Sequence, residues 1–180
     1  MNQTNDNIVD IKYQQTGTSS NTNALGMREM QAKAYEARNQ RFLLIKAPPA
    51  SGKSRALMFI ALDKLMNQGI RRVVVAVPEK SIGRSFQNTD LMAYGFFADW
   101  KVNPKYNLCA VKDSTTREAV SEQGKAKVFG EFFKQDKSKI LVCAHATLRN
   151  GMKEISDEEF DDCLLAVSYT HLTLPTNREV

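Results

Sequence analysis

No apolar run in this sequence approaches the roughly 20 residues that a helix needs to cross a bilayer. The amino terminus, Met1-Asn2-Gln3-Thr4-Asn5-Asp6, has neither the basic block nor the apolar block of a secretion signal. A membrane partner is therefore not expected, and a reducing cytoplasm is the simplest home. Cysteine is scarce and odd in number: Cys109, Cys143 and Cys163 sit in no metal-type pair, and two lie inside apolar runs, which predicts buried thiols rather than disulfides or zinc ligands. Nor does one sign of charge dominate. The 25 Lys+Arg face 20 Asp+Glu, and the net charge of +5 permits a polyanionic partner without demanding one. What remains, 42% hydrophobic and 25% charged over 180 residues, suits one soluble globular domain and excludes collagen-like, mucin-like and wholly disordered classes.

Residues 1–23 are dense in Asn, Gln, Thr and Ser and are expected to be a flexible lead-in, so the domain is placed at 24–167. Met27, Met30, Ala34 and Ala37 recur at helical spacing up to about Arg38, followed by a short apolar run, Phe42-Leu43-Leu44-Ile45, which reads as the first buried-type strand. A helical pattern from Lys53 to Met66 ends at Gly69. The strand-like Val73-Val74-Val75-Ala76-Val77 is stopped by Pro78. Further strands are predicted at Leu108–Val111, Ile140–Ala144 and Cys163–Val167, with helices over Thr116–Lys134 and Thr147–Met152 and a capping box at Ser156–Glu159. Continuous apolar strands alternating with helices imply an α/β fold with a mostly parallel sheet covered on both faces.

The sharpest chemical signal is Ala47-Pro48-Pro49-Ala50-Ser51-Gly52-Lys53-Ser54, between the first apolar run and a helix. This is the pattern of a phosphate-binding loop. Backbone N–H groups at the helix start face the phosphates, Gly52 lets the backbone approach, Lys53 neutralises the outer phosphates, and the Ser54 hydroxyl is a Mg²⁺ ligand. Ala47 stands where glycine is usual, as does Ala50, which predicts a stiffer loop.

With these neighbours the chain resembles the first motor domain of superfamily two helicases and translocases, the DEAD/DEAH-like and restriction-subunit group. The resemblance runs over about residues 25–167. It implies a P-loop NTPase fold of the RecA-like kind, a three-layer sandwich, with ATP and Mg²⁺ as cofactors and a DNA or RNA backbone as partner. Met27-Arg28-Glu29-Met30-Gln31 resembles the element whose glutamine reads adenine, which assigns that role to Gln31. The stretch Val73–Ser81 resembles the strand-then-proline motif that contacts nucleic acid backbone, implicating Pro78, Lys80, Ser81 and Arg84. Val142–Leu148 resembles the motif whose threonine, here Thr147, caps a helix and touches the tracked strand. Asp162–Val167 has the look of the strand leading into the Walker B box, and other subunits of a restriction or repair complex are further partners of such proteins.

The pattern breaks after Val167, where Ser168-Tyr169-Thr170 replaces the expected Asp-Glu pair that holds the metal and polarises water. Back-translation of Val167–Thr176 with permitted codons resembles a transposase-end adaptor of sequencing libraries, so residues 168–180 are expected to be an artefactual tail. In the resembling motors a further strand lies between the phosphate-loop strand and the Walker B strand. The sheet is therefore expected to be incomplete at its C-terminus, with apolar edges unpaired, and the fragment to be inactive as an ATPase. Two alternatives stay open, another P-loop ATPase or small-molecule kinase, and a non-catalytic binding module. Phe129, Phe132 and Phe133 are expected in the core. Arg71, Arg72, Lys125, Lys127, Lys134, Lys137 and Lys139 are expected to be solvated, and Trp100 with Lys101, Lys105 and Tyr106 is a candidate base-stacking cluster.

Overall fold

Three β-branched residues in a row, Val73-Val74-Val75, favour extended backbone because their χ1 freedom is already restricted. In the computed structural model, which describes residues 22–110 and 122–169, they sit in β1 (Arg72–Val77), and all six of its residues are buried. Pro78 ends the strand by removing a ladder donor. β2 (Ile140–Ala144) and β3 (Cys163–Val167) flank β1 in the order β2-β1-β3, both parallel to it, with Val75 opposite Val142 on one side and Ala166 on the other. The expected parallel α/β arrangement is therefore present, as a sheet of three strands among the described residues.

Alternation along the strands splits the core into two layers. Val73, Val75, Val77, Ile140, Val142 and Ala166 face a cluster containing Met27, Met58, Phe59, Leu62, Phe86 and Trp100. Val74, Ala76, Leu141 and Cys143 face the other cluster, which includes Tyr106, Phe129, Phe132 and Phe133. The first is covered by α2 (Lys53–Asn67) and α1 (Glu29–Glu36). The second is covered by α3 (Glu122–Phe133) and α4 (His145–Gly151). The three phenylalanines are core residues, as expected. Each aromatic removed from water contributes about 1.5–3 kcal/mol, so this layer is a main source of cohesion. Trp100 and Tyr106 are also core residues, at 0% and 5% exposure, so the proposed base-stacking cluster is corrected: the indole N–H donates to the Phe86 carbonyl at 3.0 Å.

α2 ends where Gly69 takes φ +74° and turns the chain back, the Ile70 N–H returning to the Lys64 carbonyl. Because β1 starts three residues later, α2 runs beside the sheet against the strand direction. Its 15 residues span about 22 Å. The start of α2, with the 47–54 loop, thus lies toward the carboxyl end of the parallel strands. The Ser156–Glu159 capping box is present, Ser156 N–H to Glu159 Oε2 at 2.9 Å and Glu159 N–H to Ser156 Oγ at 3.3 Å.

Two expected strands do not form. Leu108–Val111 is replaced by a turn: Asn107 bridges Val142 and the Leu108 N–H donates to the Val142 carbonyl at 2.8 Å, while Val111 lies outside the described residues. Phe42-Leu43-Leu44-Ile45 forms no strand, with Phe42 and Leu44 at 84% and 80% exposure. The physical reason is competition for the central strand: β1 already has β2 on one side and β3 on the other, so neither of its edges is open to this run. The expected lead-in up to residue 21, the start of the Thr116–Lys134 helix and the tail from Thr170 lie outside the described residues.

Candidate functional site

The turn that opens α2 is shaped by two residues with positive φ, Ala50 at +58° and Gly52 at +89°, and Gly52 is the residue that precedes the helix. Only glycine takes such an angle without cost, so Ala50 holds this loop against a penalty of about 1–2 kcal/mol. The Ser51 N–H returns to the Pro48 carbonyl at 3.4 Å and the Ala56 N–H to the Gly52 carbonyl at 3.1 Å. Between them, the N–H groups of Gly52, Lys53, Ser54 and Arg55 have no acceptor among the described residues. These are the unsatisfied donors of a helix start, carrying its partial positive charge.

Lys53 lies across the loop, its ammonium donating to the Ala47 carbonyl at 2.8 Å and the Pro48 carbonyl at 2.6 Å. Both acceptors are neutral dipoles, so no carboxylate competes with an incoming anion for this charge. The Ser51 hydroxyl is buried and unpartnered. A cleft of about 400 Å³ opens here, lined by Ala50, Gly52, Lys53, Ser54, Arg55, Met58, Ser85 and Thr89. Two cations, a helix start and no acid line it, a combination that attracts polyanions. Pro49, exposed at the tip, makes no contribution to the lining.

Gln31 is buried at 2% exposure and touches the same loop. Its amide nitrogen donates to the Gly52 carbonyl at 3.1 Å and its oxygen accepts from the Arg28 N–H at 2.9 Å. A Cβ at Gly52 would collide with that amide. Gln31 therefore couples α1 to the loop in this arrangement.

A second link between the same helices was not foreseen. Asp63, buried on α2, accepts from Tyr35 Oη at 2.9 Å, Arg38 Nε at 3.0 Å, Asn67 Nδ2 at 2.8 Å and Gln68 Nε2 at 2.6 Å. Burial pushes its carboxyl up, but the hydrogen bonds from Asn67, Gln68 and Tyr35 and the Arg38 charge outweigh it and hold the group below its ordinary value. Burial and the bond to Asp63 push the Tyr35 hydroxyl up to about 12. The available signal was an aspartate directly after the apolar run Met58–Leu62. Ser85 and Thr89 were also missed, because their place beside the loop follows from chain reversal after β1 rather than from any motif, and Arg55 was missed although it directly follows Ser54.

The residues expected to meet nucleic acid are dispersed. Lys80, Ser81 and Arg84 are exposed on the turn after β1, with Pro78 half-buried, and the Ser81 hydroxyl donates to Glu79 at 3.3 Å. This turn continues into the 3₁₀ segment Ile82–Phe86, which brings Ser85 to the cleft. Thr147 is buried at 1% exposure as the third residue of α4, and the capping position belongs to Ala144, so the expected threonine cap is corrected. Helix start and strand end are contiguous here, which leaves no loop residue to cap. The His145 Nε2 is buried and unpartnered, and its ring lies 5.1 Å from that of Tyr169.

Cys109 and Cys143 are buried, Cys163 is half-buried, and none of the three forms a disulfide among the described residues. Burial pushes the thiols of Cys143 and Cys163 up, which suits the expected inert role. No group of three or more His, Cys, Asp or Glu able to hold a metal occurs among the described residues. The side-chain oxygens that line the cleft are the hydroxyls of Ser54, Ser85 and Thr89, without a carboxylate. That set fits an ion delivered with phosphate oxygens.

The fold and site define an α/β domain with a polyanion-attracting cleft at a glycine-capped helix start. The chain is similar, at 55% identity over 166 residues, to the "Putative ATP-dependent helicase YeeB" of Bacillus subtilis (strain 168), the match taking in 92% of this chain and 26% of that protein. The chain therefore spans about a quarter of the length of this curated relative. No protein-family model and no solved structure matches it. No helix among the described residues is long and apolar enough to cross a membrane.

Proposed function

We propose that this chain is part of an ATP-driven DNA or RNA helicase or translocase, of the superfamily two kind, in which residues 47–54 hold ATP with Mg²⁺. The observation that carries the reading is the start of α2: four N–H groups without acceptors, a lysine held only by carbonyls, and a cationic cleft beside them. The name of the Bacillus subtilis relative supports the helicase part. Lys53 swings from the Ala47 and Pro48 carbonyls to the outer phosphates, exchanging two neutral acceptors for charged ones, which are roughly twice as strong. The helix-start N–H groups take the remaining phosphate oxygens, and Ser54 completes the shell of the ion that the phosphates bring. Gln31, already seated against Gly52, meets the adenine edge. Lys80, Ser81 and Arg84 meet the nucleic acid backbone beside Pro78, with Thr147 supporting that wall from the core.

Hydrolysis needs more than this. An attacking water requires a carboxylate to orient it, and Ser168 and Tyr169 follow β3 where that group belongs, so the present chain binds nucleotide without turning it over. Titration of the 180-residue chain with ATP-Mg, followed by ³¹P NMR, tests the reading. Millimolar or tighter binding that weakens about tenfold or more in Lys53→Ala is expected, since a charge-assisted contact contributes about 1.5–3 kcal/mol. Equal binding by wild type and Lys53→Ala, or steady phosphate release stimulated by DNA or RNA, would contradict it.

A further inference from the structure

Beside Arg55, which lines the cleft, stands an aromatic ring that nothing above uses. Tyr94 is 59% exposed, and the Arg55 guanidinium carbon lies 5.2 Å from its ring centroid. Arg55 itself lines the cleft, and it has no carboxylate partner among the described residues. A cation held over a ring face rather than by an acid keeps its charge available, and the pair makes a flat, polarisable wall.

The wall is fixed in place by an interlock. Gly26, at φ +72°, lies so near Tyr94 that a Cβ there would come within 2.6 Å of both the Tyr94 Cβ and its carbonyl oxygen. Gly95, at φ +95°, packs reciprocally against the Ala24 carbonyl. The Tyr94 N–H donates to the Leu91 carbonyl at 3.0 Å, and the neighbouring Met92 N–H to Asp99 Oδ1 at 2.9 Å. The Gly26 segment leads directly into α1, whose Gln31 holds Gly52. One continuous piece of chain thus braces both the phosphate-facing loop and the Tyr94 ring. An exposed aromatic on a braced backbone leaves only its own side-chain torsions to be ordered when a planar ligand lands on it.

We propose that Tyr94, with Arg55, is the platform on which the purine ring of a nucleotide rests while its phosphates lie at the start of α2. This rests on the phosphate-loop reading above and names a base-binding group for the same site. Stacking on Tyr94 selects for the presence of a base and is indifferent to the number of phosphates. The lysine and the helix start do the reverse.

The test compares ATP with inorganic tripolyphosphate, both followed by ³¹P NMR on the full chain, in wild type, Tyr94→Ala and Tyr94→Phe. Removing a stacking ring should weaken ATP binding roughly 5- to 100-fold while leaving tripolyphosphate within about twofold of wild type, and Tyr94→Phe should retain ATP binding. Saturation transfer from the protein to the adenine H2 and H8 protons should vanish in Tyr94→Ala alone. Unchanged ATP binding in Tyr94→Ala overturns the platform and leaves the phosphate loop standing. Parallel loss of ATP and tripolyphosphate overturns it as well, since Tyr94 would then merely shape the loop. A wild type that binds neither ligand overturns the loop reading and this inference with it.

Discussion

β1 is flanked by two strands of similar apolar composition that end in different environments. On the β2 side, Leu141, Val142 and Cys143 are at 0% exposure, Leu141 and Cys143 beneath Phe129, Phe132 and Phe133 and Val142 within the opposite layer. On the β3 side, Leu165 and Val167 remain at 39% and 36% exposure, and the apolar run Phe42–Ile45 that ought to belong to the same sheet lies unpaired. Both sides carry the hydrophobic pattern of a buried strand. What differs is whether another element covers the face and pairs the edge. A strand is a property of two chains side by side, because its N–H and C=O groups need partners as much as its side chains need burial.

The comparison can be broken most severely on its closed side. Phe129→Ala should lower the unfolding free energy by about 3–5 kcal/mol in urea titrations, because the ring packs at 5.3 Å from Phe133 and abuts Gly151, leaving a void that the α3–α4 contact cannot collapse into. A loss below about 1 kcal/mol would show that this layer is not what holds the sheet.

Between the two sides stands the α1–α2 link. Asp63→Asn should cost about 2–3 kcal/mol, since four donors then face an amide that accepts at one atom only. The same substitution should change the pH dependence. Folding holds the Asp63 carboxyl below its unfolded value of about 3.9, so its contribution is complete above that pH and is lost as pH falls through the lower, folded value. Denaturation midpoints measured from pH 6 down to pH 2 should therefore fall less steeply in Asp63→Asn than in wild type. An identical acid limb would show that the link does not titrate.

On the open side the effects shrink and change sign. Ala50→Gly should raise stability by about 0.5–1 kcal/mol, the relief of the positive φ slightly exceeding the added freedom of the unfolded chain. Phe42→Ser should change the unfolding free energy by less than about 0.5 kcal/mol while reducing self-association seen by light scattering, because the ring is 84% exposed. A Phe42→Ser loss as large as that of Phe129→Ala would abolish the distinction between the two sides.

Much of this architecture could be read in advance. Val73–Val77, Ile140–Ala144 and Cys163–Val167 announced themselves as strands through short apolar runs bounded by Pro78, Lys139 and the Ser156–Glu159 cap, and the α2 limits at Lys53 and Gly69 were given by a glycine at each end. Phe42–Ile45 and Leu108–Val111 have the same local character and misled for that reason. Leu108 does donate to Val142, but a turn follows at once. Of the candidate site, the 47–54 loop could be singled out because its glycine, lysine and serine stand next to one another in the sequence. Tyr94, Arg55 and Asp63 were not, since they acquire meaning from partners 28 to 39 residues away, as in Tyr35 with Asp63 and Arg55 with Tyr94.

The order of residues determined by itself where the helix after the loop begins, which side chains can meet a phosphate, and which segments are apolar enough to be buried. These follow from local backbone preference and side-chain chemistry, which act within a few residues. Only the tertiary structure decided which apolar runs find an edge to pair with, that Gln31 closes on Gly52, and that an arginine and a tyrosine from distant segments share one rim. Such outcomes depend on competition among all segments for the same few faces and edges, and that competition is settled in three dimensions.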